Sequence, residues 1–221
     1  MAYRVETDSY GNKKCYRDDR LHRDGGLPAV EYSNGRKEWW VDDIRHRDGG
    51  LPAIEYSDGT KKYYRDGKHH RDGGLPAIEK ANGSKEWWVD GKRHRDGGLP
   101  AVEDSDGYKS WWVNGKQHRD GGLPAVEWSV GYKSWWVDGK RHRDGGLPAV
   151  EWSNGDRSWW VDGNEVSEEQ AKLIDRIKMK RVKRVYWKWY DITYRIDKPA
   201  FKARMNRDMD TLENDIGYQL S

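Results

Sequence analysis

Apolar positions in the first 166 residues of this 221-residue chain return at the same places every 24 residues. In the third copy they are Leu75-Pro76-Ala77-Ile78, then Trp87-Trp88-Val89, with polar residues and glycines between. The block His22-Arg23-Asp24-Gly25-Gly26-Leu27-Pro28-Ala29 opens the first unit. It recurs from His46, His70, His94, His118 and His142 without an insertion. A fixed period of this size marks an array in which each unit packs mainly on its neighbours.

Two turn signals punctuate every period. The first set is Asn34-Gly35, Asp58-Gly59, Asn82-Gly83, Asp106-Gly107 and Asn154-Gly155, with Val130-Gly131 as the exception. Eight residues further on come Asp66-Gly67, Asp90-Gly91, Asn114-Gly115, Asp138-Gly139 and Asp162-Gly163, a set that Asp42-Asp43 breaks. Such pairs tolerate positive φ at both central positions of a type I′ hairpin. Two hairpin turns per period predict two antiparallel strands per period, in keeping with the Trp, Tyr and Val content.

A two-residue turn at Asn82-Gly83 pairs Ile78 with Trp87 and Ala77 with Trp88. The turn at Asp90-Gly91 pairs Trp87 with His94 and Trp88 with Arg93. Alternation then sets Ile78, Trp87 and His94 on one face and Ala77, Trp88 and Arg93 on the other. The first unit repeats this with Val30, Trp39 and His46 against Ala29, Trp40 and Arg45. On the second face a guanidinium lies over an indole, a cation–π contact of roughly 0.5–1 kcal/mol. The same register sets Glu79 opposite Glu86 and Glu31 opposite Glu38, a mild repulsion. Gly-Gly-Leu-Pro interrupts each strand, because Pro lacks a ladder donor and glycines permit a bulge. Residues 4–21 read as a degenerate half repeat in which Cys15-Tyr16 align with Trp39-Trp40, so that Cys15 substitutes for a ring as packing.

The pattern changes after residue 166. Ser167-Glu168-Glu169-Gln170 reads as a capping box. Leu173, Ile174, Ile177, Val182, Val185, Trp189, Ile192 and Ile196 then follow near helical spacing. Pro199 predicts a break, with a second helix carrying Phe201, Met205, Met209, Leu212 and Ile216. The predicted fold is mainly β: an elongated antiparallel β-hairpin repeat array of six units over 22–166, with a helical C-terminal segment over 167–221 that caps the last sheet edge.

Composition adds constraints. Hydrophobic residues make up 34% and charged residues 36%, too polar for a thick core, yet 14 Trp and 13 Tyr separate the chain from disordered sequences. Large rings overlaid by Arg and Lys stems suit a thin structure. One cysteine excludes an internal disulfide framework and suits a reducing compartment. The start of the chain lacks a signal peptide's apolar run and no stretch is long enough to span a membrane, so the expected location is cytoplasmic. Residues 167–221 hold 13 Lys and Arg against 9 Asp and Glu. That net of +4 in a chain of +3 leaves the repeats at −1.

Little of this suggests catalysis. Neighbouring histidines of the six-fold row should stand roughly 10 Å apart, whereas zinc ligands sit about 2 Å from their ion. His22-Arg23-Asp24 spells the start of a kinase catalytic loop, but six copies without a phosphate loop or Asp-Phe-Gly make that coincidence. Asp104-Ser105-Asp106-Gly107 occurs once and lacks the distal Glu of a calcium loop. The chain is read as a non-catalytic protein with no cofactor or metal.

The run Gly83-x-x-x-Trp87-Trp88-x-x-Gly91-Lys92-x-His94 resembles MORN repeats. It is closer to a MORN-like variant, His-Arg-x-Asp-Gly-Pro-Ala…Trp-Trp…Asn-Gly-Lys-x-His-Arg, common in large DNA viruses and phages. The resemblance covers about residues 4–166, with Arg23, Arg47 and Arg71 standing where MORN has Gly. It implies paired antiparallel strands, a scaffold or protein-interaction role, and a virion as an alternative location. The candidate interaction surface is Trp40, Trp88, Trp112, Trp136 and Trp160 with Arg45, Arg93 and Arg141; the partner would be another protein or a second copy of the chain. One alternative is a ligand-binding array using the tryptophans as platforms for glycans or choline-like groups. Another is attachment to an anionic membrane or nucleic acid through 176–190, where Arg176, Lys178, Lys180, Arg181, Lys183, Arg184 and Lys188 precede or flank Trp187 and Trp189. A solvated helix face explains the same charges.

Overall fold

The computed structural model describes residues 3–193, with side chains described as far as residue 182. Two compact units are distinguished, Met1–Ile174 and Asp175–Ser221. The first is mainly β: one open, wholly antiparallel sheet in which each repeat adds two strands in sequence order. It opens with β1 (Tyr3–Thr7), β2 (Lys13–Arg17) and β3 (Arg20–Leu21). The two long-sheet strands of each repeat pair with each other and with those of the neighbouring repeats, up to Arg157–Val161 and Asn164–Val166. The second hairpin of each of the first five repeats forms a two-stranded sheet of its own.

The third repeat shows the plan. Ile78–Glu79 and Lys85–Glu86 lie in the long sheet, and Trp88–Val89 pairs with Lys92–Arg93 in a small hairpin of its own. The chain bends between them at Trp87. Its N–H donates to Ala101 O of the next repeat at 2.8 Å, and its carbonyl accepts from His94 N–H at 3.2 Å. A residue bonded on both sides cannot drift, so its ring is held inward.

The two turn sets differ. At the second, Asp90 has φ 47° and Gly91 φ 80°, the type I′ geometry read from the sequence, and Trp88 pairs with Arg93. At the first, only the glycine (Gly83, φ 89°) has positive φ. Gly83 N–H donates to Lys80 O and Lys80 N–H to Ser84 O, a three-residue loop with a glycine bulge. Asn82 Oδ1 accepts from Ser84 N–H at 3.0 Å and closes it. The expected pairing is therefore off by one place: Ile78 faces Glu86 and Glu79 faces Lys85, not Trp87 and Glu86. The expected glutamate repulsion becomes a Glu–Lys pairing, and Ile78 and Trp87 do not share a face.

The core is one thin row. Ala77, Ile78 and Trp87 and their counterparts in the other repeats are buried, save Trp159 of the sixth, which is half-buried, with Cys15 in the ring position of the N-terminal half unit. The Trp87 indole N–H donates to Gly74 O at 2.9 Å, and the same bond recurs from Trp39, Trp111, Trp135 and Trp159. Both glycines of that loop have positive φ, 75° and 68°, which a side chain would resist.

Helix α1 (Glu168–Thr193) begins as the capping box requires: Gln170 N–H donates to Ser167 Oγ at 3.2 Å and Ser167 N–H to Gln170 Oε1 at 2.9 Å. Its first turns lie on the last glycine loop, where a Cβ at Gly146 would meet the Lys172 backbone at 3.0 Å. Leu27, Leu51, Leu75, Leu99 and Leu123 are each 50% exposed, whereas Leu147 under the helix is not among the exposed apolar residues. These first turns, up to Ile174, thus lie over the last loop of the array. The second helix expected beyond Pro199 lies outside the described residues.

Candidate interaction surface

The second aromatic of each repeat and, in the first, second, third and fifth repeats, the basic residue five places on build a ladder along one face of the array. Arg45 lies 4.6 Å from the Trp40 ring centre and 5.6 Å from that of Tyr64. Arg93 lies 5.0 Å from Trp88 and 5.2 Å from Trp112. Arg141 lies 5.2 Å from Trp136 and 4.9 Å from Trp160. Each guanidinium is thus shared between its own ring and the next repeat's ring. The structure brings together all eight residues read from the sequence and adds two. Tyr64 supplies a ring in the second repeat, and His69 stacks 4.2 Å from Tyr64 and 5.3 Å from Trp88. Gln117 takes the cation's position in the fourth repeat, paired with Trp112 but uncharged.

Beneath the rings lies a row of acceptors that sequence reading missed. Trp40 Nε1–H donates to Glu38 Oε2 at 2.9 Å and Trp88 Nε1–H to Glu86 Oε2 at 3.2 Å. Trp112, Trp136 and Trp160 donate instead to Ser110, Ser134 and Ser158, each at 2.8 Å. Glu38 is only 1% exposed and is paired with Arg36 and, at 3.5 Å, with Arg45. Glu86 accepts from Arg93 at 3.0 Å and lies 3.3 Å from Lys80. Burial pushes the Glu86 carboxyl up, but Arg93 and then Lys80 outweigh it and hold the group below its ordinary value. Burial, with Lys62 adding to it, holds His69 below the usual imidazole value, and Glu86 opposes that shift. An even spacing of two residues between acceptor and ring was the available signal.

The His-Arg-Asp block is occupied in holding the array together. His46 Nδ1 accepts the N–H of Asp66, at the second turn of the same repeat, at 3.2 Å, while Nε2 meets Asp48 Oδ1 at 3.1 Å. The same two bonds recur in all six copies, from His22 to His142. Arg95 lies 3.6 Å over the Trp87 ring and donates to Pro100 O at 3.0 Å and Glu103 Oε1 at 2.7 Å. Arg23 makes the corresponding bonds to Pro28 O and Glu31, with Cys15 where the ring would stand. Each histidine, arginine and aspartate thus already has a structural partner. Among the described residues no group of three or more His, Cys, Asp or Glu is placed to hold a metal ion. Asp106, in the calcium-like tetrapeptide, spends its Oδ1 on Tyr108 N–H of its own turn.

Helix α1 carries the other candidate patch. Arg176, Lys178, Lys180 and Arg181 are exposed, and so are Leu173, Ile177 and Val182. The side chains of Lys183, Arg184, Trp187, Lys188 and Trp189 lie outside those described. Among the described residues no helix is long and apolar enough to cross a membrane. No family model and no curated protein matches the chain.

Proposed function

We propose that the chain is a non-catalytic repeat protein whose ring-and-guanidinium face binds another protein, in the manner of a scaffold. The observation that supports this most is the recurrence of the ring-and-cation arrangement from Trp40 to Trp160, interrupted at Gln117 in the fourth repeat, with half-buried rings and Arg at its surface. Tryptophan and arginine are the residues that most often anchor protein interfaces. The MORN-like resemblance supports the same role. A glycan- or choline-binding array is disfavoured, because the ring faces such ligands would use are covered by the chain's own Arg45, Arg93 and Arg141. The test is affinity capture from a host extract with the chain and with its Arg45→Glu/Arg93→Glu/Arg141→Glu variant. A partner retained by the former and lost by the latter, with circular dichroism unchanged, supports the reading. A partner held equally by both excludes this face.

A second reading rests on α1, where basic residues and exposed Leu173, Ile177 and Val182 share one helix. This combination suits an anionic lipid surface. Sedimentation with phosphatidylserine vesicles should then be lost on deleting 175–221 and weakened by salt; vesicle binding that survives the deletion rejects it.

A further inference from the structure

The N-terminal edge of the sheet carries the strand most suited to pairing with another. Among the described residues the outer side of β1 has no strand beside it, and all five of its residues are exposed. It is also longer than the two-residue strands of the interior repeats.

Its hydrogen-bond phase follows from its neighbour. Cys15 N–H donates to Ala29 O and Cys15 O accepts from His22 N–H, so both main-chain groups of Cys15 face away from β1. Val5 lies opposite Cys15 and is therefore in a non-hydrogen-bonded pair, in which both residues turn their groups outward. Tyr3 and Thr7 share that phase. The free edge thus offers donors and acceptors at residues 3, 5 and 7, spaced symmetrically about Val5.

We infer that β1 pairs antiparallel with β1 of a second copy, about a two-fold axis at Val5. That register matches Val5 with Val5, Tyr3 with Thr7 and Arg4 with Glu6, and forms about six main-chain bonds. The charges select it over its neighbours. A slip of two places in either direction keeps the bonds in phase but sets Arg4 against Arg4 or Glu6 against Glu6, which repel. Arg4 and Glu6 already meet along the strand at 3.0 Å, so pairing gathers two of each into one cluster. The contact is isologous, closes at two copies, and runs one sheet through both. A five-residue seam is small beside the roughly 800 Å² per partner of a standard interface, so association should depend on concentration. It is independent of what the ladder face binds.

Sedimentation equilibrium of the full chain tests this. The wild-type chain should move from one-copy to two-copy mass with rising concentration. Arg4→Glu and Glu6→Arg should each remain single, because each sets like charges opposite one another. An equimolar mixture of the two should associate again, since every cross-strand pair is then opposite in sign. Val5→Pro, which removes an outward N–H and leaves the bonds to β2 intact, should also abolish association. A wild-type chain that stays single to millimolar concentration overturns the inference. So does association unaffected by Val5→Pro, or a mixture that behaves as its components do.

Discussion

In the first and third repeats the ladder ring is held from below by a buried carboxylate, Glu38 or Glu86; in the fourth to sixth the same indole N–H is held by Ser110, Ser134 or Ser158. The bond to the ring is 2.9 or 3.2 Å in the early half and 2.8 Å in the late half, and its surroundings differ more. A carboxylate under a ring loses hydration worth several kcal/mol unless cations replace it, and the early repeats supply Arg36, Arg45, Lys80 and Arg93. A serine hydroxyl needs no such company. The early half is thus a network in which each charge depends on another, and the late half is a set of nearly independent neutral bonds.

The largest effect should ignore the difference. Trp87→Ala and Trp135→Ala remove inner rings with the same packing and the same carbonyl bond, and each should cost roughly 3–5 kcal/mol in denaturant unfolding. Unequal costs would mean that the halves differ in their core and not only in their ladder. Next, Arg93→Ala should cost about 1–3 kcal/mol because Glu86 loses its nearest cation in a buried site. Arg141→Ala, over neutral Ser134, should cost no more than the cation–π contact of about 0.5–1 kcal/mol. A cycle with Glu86→Ser should bring the Arg93 value down to that of Arg141.

Acid should open the early half first. His69 is held neutral below its ordinary value of 6.5, so the unfolded chain binds the proton first and stability falls as pH drops below that value. Glu86 is held below its ordinary value of 4.5, so its contribution is complete above that and is lost as pH falls through the lower folded value. Hydrogen exchange between neutral and mildly acid pH should show protection lost in the second and third repeats before the fourth and fifth; simultaneous loss would contradict this account. The smallest effect is a gain. Gln117→Arg supplies a cation beside Trp112, as Arg93 does beside Trp88, and should stabilise by roughly 0.5–1 kcal/mol.

Much of the array could be read from the chain because the period is strict. The type I′ turn at Asp90-Gly91, the Trp88–Arg93 pairing and the packing role of Cys15 all followed from local rules. The first turn did not, because Asn-Gly suits either a two-residue hairpin or a glycine bulge, and only the second geometry leaves asparagine at ordinary φ. The exception Val130-Gly131 held the clue: a β-branched residue strongly resists the positive φ that a type I′ turn demands, and Val130 does not adopt it. The Glu79–Glu86 repulsion pointed the same way. Arg93 reaching a second ring was not legible, since it depends on how one repeat stacks on the next rather than on any sequence within it.

That stacking rests on bonds repeated identically at every junction. Trp39 N–H meets Ala53 O, and Gly67 N–H meets Arg45 O; the next junction does the same with Tyr63 N–H to Ala77 O and Gly91 N–H to His69 O. A duplicated or deleted 24-residue module therefore finds the same neighbours on both sides as those it replaces. Each such event changes the distance between the ends by about 10 Å, two strand spacings, and leaves no mismatched joint. Gene duplication could tune this chain as a molecular ruler, graduated in whole units.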